Sequence, residues 1–455
     1  MFQFLFRDKV FNKKLFALTL PISLQNLMLA LVAAADAVML GKLDQDSMAA
    51  VSLATQIQFV QNMFLGAICA GIAGLGAQYW GKKDIPVLGK LFGLGIRESL
   101  LLSIVFFIGC RLFPEILMRL FATDPILVNI GVDYLKIASW SYLITGISQC
   151  YLAIMRVSDH ATYSAWISSV TVVVNIILNA IFIFGLLGCP AMGVKGAALA
   201  TVAARVFELL WCVGTTYGKS FIKLKLKTIF TFERLLIYDF WKYTAPILGA
   251  FMLWGVGFTA YTALMGQLGR DSAAANAIAA VVRDLMCCLC NGIAVGSGIM
   301  IGNELGAGHL KKGKVYGVRS MLLSFVIGFV SMGIVLCTIP IVLQFIKMTP
   351  LARDYMIGMF AIMSFYMIGR CVCTVTINGI FAAGGDTMFD PISLVVCMYG
   401  IALPCAFLGT FYFHWPVLVI YACTCLDEVG KIPWVIYHFY KYRWVCNITR
   451  DSSEI

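Results

Sequence analysis

Apolar residues in this chain neither alternate along strands nor fall on a single helical stripe. They come in continuous runs, one after another, from the first tens of residues almost to the end. Each run is about 20 residues or more, long enough to cross roughly 30 Å of hydrocarbon as an α-helix. Backbone polar groups inside lipid have to pair within their own segment, so helices are expected. A membrane β-barrel would show short alternating strands, a pattern this sequence lacks. The runs predict twelve spans, at about 15–40, 49–79, 89–112, 126–153, 163–187, 194–217, 244–266, 274–303, 317–346, 355–381, 390–412 and 415–438. Polar interruptions inside these runs are few, and one opens the chemical question. In VAAADAVMLG (Val32 to Gly41), Asp36 is the only charged residue between Lys14 and Lys42.

Composition agrees with the pattern. Of 455 residues, 61% are hydrophobic and 13% charged, against about 45–50% and about 25% in soluble domains. The formal net charge of +11 could point to nucleic acid, but its distribution does not. Basic residues gather in loops on the side of the N-terminus, by about three to one over the other side. The excess is therefore a topology signal that puts both termini in the cytoplasm of a multi-pass plasma (inner) membrane protein, with no nucleic-acid role. The aromatic and basic start, MFQFLFRDKVFNKK, lacks the order of a cleavable signal peptide and is expected along the membrane surface.

The chain also repeats itself. LTLPISLQ with Pro21 recurs as KYTAPILGA with Pro246, an offset of 225. The same offset aligns Gly41 with Gly266, Leu43 with Leu268, Asp46 and Ser47 with Asp271 and Ser272, Gly71 with Gly296, and Pro125 with Pro350. Two copies of an even-numbered unit enter the membrane from the same side, so they are related by an axis along the membrane normal. The fold class expected is an all-α membrane protein of twelve transmembrane helices in two six-helix bundles related by a pseudo-twofold axis. The expected organisation is an N-terminal lobe at 1–217, a cytoplasmic linker at 218–243, a C-terminal lobe at 244–440 and a cytoplasmic tail at 441–455. Glycine-dense stretches, GAICAGIAGLGAQ and its partner NGIAVGSGIMIGNELGAG, allow close helix approach or bending.

Residues eleven apart on a helix are nearly in phase, so Gln25 and Asp36 share a face of the first span. Asn175 and Asn179, at i and i+4, share a face of the fifth. A carboxylate beside amides can hold a sodium ion through oxygens or take up a proton. One carboxylate suits one positive charge per cycle. A shallow, solvated Asp36 is the alternative, since it lies about 7 Å from the span end at 1.5 Å per residue. Other intramembrane charges come as near neighbours of opposite sign: Arg97 with Glu98, Arg205 with Glu208, Arg283 with Asp284, and Asp427 and Glu428 with Lys431. Their spacing allows structural pairing, here of Asp427 with Lys431 in particular. Glu208, Arg283 and Asp284 are the ones best placed to touch a central cavity. Arg370 has no local partner in the sequence. Met28, Trp254 and Tyr261 are candidate apolar lining, with Gln25 beside them, and Tyr261 is the repeat counterpart of Asp36. The sixteen cysteines read as small packing residues rather than a metal site.

The order and spacing of ADAVMLGKL, NIILNAIFIFG (Asn175 to Gly185), MGVKGAALAT (Met192 to Thr201), NGIFAAGGDT (Asn378 to Thr387), RVSD (Arg156 to Asp159) and KYRWVCNITR resemble the multidrug and toxic compound extrusion (MATE) family, prokaryotic type. The resemblance covers nearly the whole chain. It implies two lobes that open and close about a central cavity, and antiport that exports amphipathic, often cationic compounds against inward proton or sodium flow. It implies a coupling group of Asp36, Asn175, Asn179 and Thr201. The chain departs from the family at Asn179, where an aspartate is common, at Phe251, where a glutamate is, and at Arg370 and Cys371, where some members have an aspartate. The expected function is therefore a cation-coupled exporter acting as a monomer on small molecules in the bilayer, with no cofactor and no catalysis. A lipid or oligosaccharide-lipid flippase of the same superfamily is the alternative. A membrane-embedded enzyme is a more distant one.

Overall fold

The computed structural model describes residues 8–122, 124–218, 221–345 and 349–451. Of the segment expected along the membrane surface, MFQFLFRDKVFNKK, residues 1–7 lie outside them, and Lys9–Lys14 continue without a break into the helix that ends at Gly41. Among the described residues the chain is helical, without β-strand. Twelve segments have transmembrane length. They are α1 (Lys9–Gly41), α2 (Gln45–Lys82), α3 (Ile85–Leu112), α4 (Pro125–Val157), α5 (Ala161–Phe184), α6 (Gly193–Gly218), α7 (Arg234–Gln267), α8 (Arg270–Gly306), α9 (Leu310–Phe345), α10 (Pro350–Phe381), α11 (Phe389–Phe411) and α12 (417–440). Ten of these are apolar enough over a sufficient length to cross a membrane by composition alone. The two others differ from these: α4 is rich in polar residues, among them Ser139, Ser141, Thr145, Ser148 and Gln149, and α12 is broken into pieces each shorter than a span.

The helices start and stop where local chemistry says they should. Asp44 caps α2, its carboxylate accepting from the Ser47 amide at 2.5 Å and the Ser47 hydroxyl at 2.7 Å. Asp84 and Asp124 do the same for α3 and α4, each followed by a proline in the first turn, where the missing N–H costs nothing. Gly185 ends α5 in the left-handed region at φ 73°, which only glycine adopts freely.

Three spans predicted as single helices are not regular, α10 among them, whose turns widen to π-helix over Thr374–Phe381. In α11 the turns widen to π-helix over Val395–Ala402, just before Pro404. In α12 the helix breaks into Val417–Thr424, Leu426–Val429 and Ile432–Tyr440. Pro433 lacks an N–H and its ring crowds the carbonyl four residues back, which disrupts the regular ladder there. The break places Asp427, Glu428 and Lys431 on a short irregular turn in mid-span.

By compactness the described chain divides into two units. An N-terminal unit holds Leu24–Trp241 with Arg450 and Asp451, and a C-terminal unit holds residues 8–23 with Lys242–Thr449. The division falls inside α1, two residues past Pro21. In the N-terminal unit α4 packs against α2, α3 and α6, and α5 lies against α6. Its core gathers Leu40, Val51, Ala54, Met118, Tyr134, Leu135 and Tyr142. In the C-terminal unit α8, α9 and α10 pack together around Met356, Met359, Phe360, Met363 and Met367. Cys290 and Cys371 are disulfide-paired in that core, with Cα atoms 5.4 Å apart. Small residues do bring backbones together here. A side chain at Gly292 would collide with Ser23 of α1, and one at Gly296 would meet the Thr19 hydroxyl at 2.8 Å.

Candidate functional site

In the N-terminal unit α1 and α5 are joined by two polar contacts in the same register. Gln25 donates to the Ser168 hydroxyl at 2.8 Å, and Asn179 donates to the Asp36 carboxylate at 2.6 Å. Each contact spans 143 residues, so the two helices run parallel. Eleven residues separate the contacts, about 16 Å at 1.5 Å per residue.

Around Asp36 the donors are neutral. The Asn179 amide nitrogen bonds Asp36 and also lies 3.3 Å from the Asn175 side-chain oxygen. Asn175 and Asn179 are buried, and the side-chain oxygen of Asn179 has no hydrogen-bond partner among the described residues. Asp36 is half-buried and makes no ion pair there. The arrangement brings together a half-buried carboxylate and the side-chain oxygens of two buried amides. Such oxygens suit a small cation, or the carboxyl can take a proton. The Thr201 hydroxyl donates to the Ala197 carbonyl of its own helix at 3.0 Å.

The residues guessed as cavity lining separate by unit. In the N-terminal unit Gln25 is buried, Met28 is half-buried, and Glu208 is buried in a 2.6 Å ion pair with Arg205. In the C-terminal unit Trp254 and Phe258 stack at 5.3 Å. The Arg283 guanidinium lies over the Phe258 ring at 4.4 Å and bonds Asp284 at 2.9 Å. Tyr261, at the repeat position of Asp36, packs with Ala250, Leu394 and Met398, its hydroxyl buried without a partner among the described residues. Phe251 is half-buried.

Two readings of charge need correction. Arg370 is not alone: it is bound to Glu428 at 2.5 Å and lies 5.8 Å from the Trp254 ring. Lys431 is drawn to Glu428, 3.6 Å away, rather than into the expected pair with Asp427. The Arg370 contact is invisible to spacing rules, since Arg370 and Glu428 are 58 residues apart, whereas Glu428 and Lys431 stand at i,i+3, a spacing that permits pairing as readily as i,i+4 does. Ser168, the partner of Gln25, was missed because it lies 143 residues away. Among the described residues no group of three His, Cys, Asp or Glu side chains converges as a metal site.

Comparison with known proteins places this geometry in a family. The MatE family profile matches residues 21–181 and 246–408, two copies whose starts differ by the repeat offset. The chain is 23% identical over 439 residues to the uncharacterized transporter YisQ of Bacillus subtilis, covering 92% of each. It is 26% identical over 310 residues to the probable multidrug resistance protein NorM of Rhizobium meliloti, covering 66% of this chain and 64% of the relative. A crystal structure of a Vibrio cholerae MATE transporter mutant superposes with a TM-score of 0.87 at 16% identity, covering 95% of this chain and 98% of that one. The fold is the twelve-helix, two-lobe arrangement of those structures, and the chain belongs to the MatE family of membrane transporters.

Proposed function

We propose that the protein is a cation-coupled antiporter that exports amphipathic, often cationic, organic compounds across the plasma membrane, both termini in the cytoplasm. Its multidrug-resistance relatives support export. One observation carries the coupling: Asp36, inside an apolar helix, is held by an amide and by no cation of the chain among the described residues. A carboxylate there is costly when ionised and unpaired. It is relieved by a proton or a sodium ion, and the proton is the simpler occupant. Cation binding at Asp36, Asn175 and Asn179 and release of the compound then compete, which yields exchange.

The test is uptake of a fluorescent organic cation into inverted vesicles, driven either by an imposed pH gradient or by a sodium gradient. One gradient drives uptake in the wild type, and Asp36→Asn abolishes that dependence. Gradient-driven uptake unchanged in Asp36→Asn overturns the proposal.

A further inference from the structure

The connection between α6 and α7 is built onto the N-terminal unit. At its start Phe221 and Ile222 are buried. The Phe221 ring centroid lies 4.0 Å from that of His160 and 5.7 Å from that of Tyr163, where α5 begins. At Gly93 of α3 a side chain would meet the Thr228 backbone carbonyl at 2.7 Å, so this glycine admits the linker. Further on, Arg97 donates to the Thr231 carbonyl at 3.3 Å and Lys90 pairs with Glu233 at 3.0 Å. Helix α3 has 28 residues and is about 42 Å long, about 12 Å more than the hydrocarbon it has to cross. A segment packed on its starting turns therefore lies at headgroup depth.

The outward face of this platform is basic and aromatic. Lys223, Lys225 and Lys227 are exposed, while Leu224 is half-buried. Phe230 and Phe232 follow at 77% and 74% exposed, and Arg234 is exposed beside them. The Arg97 guanidinium lies over the Phe232 ring at 4.5 Å. Within a span such phenylalanines would simply face lipid tails, but these stand in the connection between two spans. The acids of residues 221–241 are Glu233 and Asp239, and both are already held, by Lys90 and Arg450. On α3, Glu98 is held by Arg97. Lys223, Lys225, Lys227 and Arg234 are left without an ion pair among the described residues.

We propose that this patch is a docking surface for anionic phospholipid headgroups, with Lys223, Lys225 and Lys227 on the phosphates and Phe230 and Phe232 inserted at the edge of the acyl chains. It pins the connection between α6 and α7 to the leaflet on the basic side. Charge complementarity favours this occupant: four cations that no acid of the chain neutralises face outward at headgroup depth. Clustered lysines with phenylalanine next to a span are the composition that binds anionic leaflets. Lysine is depleted in protein–protein interfaces, which argues against a protein partner. Free phosphate matches the charge but offers nothing to the two phenylalanines. A ligand that binds only the folded state stabilises it by mass action, so lipid docking here is readable as stability.

The experiment is thermal unfolding of the purified full chain in neutral detergent at low ionic strength, titrated with phosphatidylglycerol, phosphatidylcholine or inorganic phosphate. Phosphatidylglycerol is expected to raise Tm beyond phosphatidylcholine, and inorganic phosphate to leave it unchanged. Each lysine near an anionic surface contributes about fivefold in affinity. Lys223→Gln with Lys225→Gln and Lys227→Gln is therefore expected to raise the half-maximal phosphatidylglycerol concentration on the order of 100-fold, with Tm in phosphatidylcholine unchanged. Phe230→Ser with Phe232→Ser keeps the charge and is expected to weaken the response as well. Lys42→Gln with Arg119→Gln and Arg270→Gln removes three scattered exposed cations and is expected to leave it nearly intact. The proposal is overturned if the lysine triple or the phenylalanine pair titrates like wild type, if the scattered triple loses as much, or if inorganic phosphate stabilises as well as the lipid. It is equally overturned if the lysine triple changes the oligomeric state on a sizing column and not the lipid response, which would give the patch to a second copy of the chain. None of these readings involves transport, so a failure of gradient-driven export leaves them intact, and the reverse holds too.

Discussion

The Asp36 carboxylate accepts a 2.6 Å hydrogen bond from the side-chain amide of Asn179, across two parallel helices and without a cation of the chain nearby among the described residues. This contact ties the one uncompensated acid of α1 to a buried amide pair on α5. Hydrogen bonds to ionised groups contribute about 1.5–3 kcal/mol, and the bond is made to the acid on which coupling depends.

Asn179→Ala removes a bond that favours the ionised carboxylate without removing the acid, so a proton binds Asp36 more readily in the variant. The cation concentration giving half-maximal coupled export is expected to shift by about 10- to 100-fold, the equivalent of roughly 1.5–3 kcal/mol, while the maximal rate falls less. A cation titration of export in vesicles checks this. An unchanged half-maximal concentration would mean that Asn179 does not set the cation affinity.

The second contact between the same helices, from Gln25 to Ser168, is expected to act on stability. Truncating one member leaves a buried polar group unpaired, at about 1–3 kcal/mol, whereas replacing both with apolar residues of similar shape is close to neutral. Gln25→Leu and Ser168→Ala singly should lower Tm, and the double variant should recover part of the loss. Strict additivity in that cycle would show the two side chains to be uncoupled.

How much of this was legible beforehand follows from the range of each interaction. The spans and the repeat were readable because hydrophobic runs and fixed offsets are local or periodic signals. Asp36, Asn175 and Asn179 stood out as polar residues in apolar runs, and the structure brings them into hydrogen-bond contact. Thr201 bonds its own helix, because a hydroxyl in a helix interior can always reach the carbonyl one turn back. Arg370 looked solitary only because its partner is 58 residues away. The break in α12 had a local signal, Pro433, that was overshadowed by the continuous apolar run.

Close approach of α1 to α8 in the C-terminal unit sets a third expectation. A side chain at Gly292 would meet the backbone nitrogen of Ser23 at 2.9 Å, an atom that cannot rotate away. Gly292→Leu is expected to cost at least the roughly 1–3 kcal/mol typical of overpacking, visible as a lower Tm. Wild-type stability in that variant would show that α1 can move off α8 at no cost.

Loop chemistry gives a pH-dependent expectation. The Ser47 amide, and then its hydroxyl, hold the Asp44 carboxyl below the usual carboxylate range. Its folded value is thus depressed, so the cap contributes fully above the unfolded carboxyl pKa of about 3.9 and is lost as pH falls through the folded value. Asp44→Ala should cost about 1 kcal/mol near neutral pH. The gap from wild type should close only in acid, as read from unfolding curves across pH. A gap that grows in acid would reverse the assignment.

The most direct measurement of the central claim looks at exchange before transport. Purified protein, in weakly buffered solution with the coupling cation bound, is mixed with the fluorescent organic cation, and the released proton or sodium ion is recorded. Wild type is expected to release one cation per molecule as the compound binds, and Asp36→Asn none, although the compound still binds. Equal release from wild type and Asp36→Asn would contradict the account.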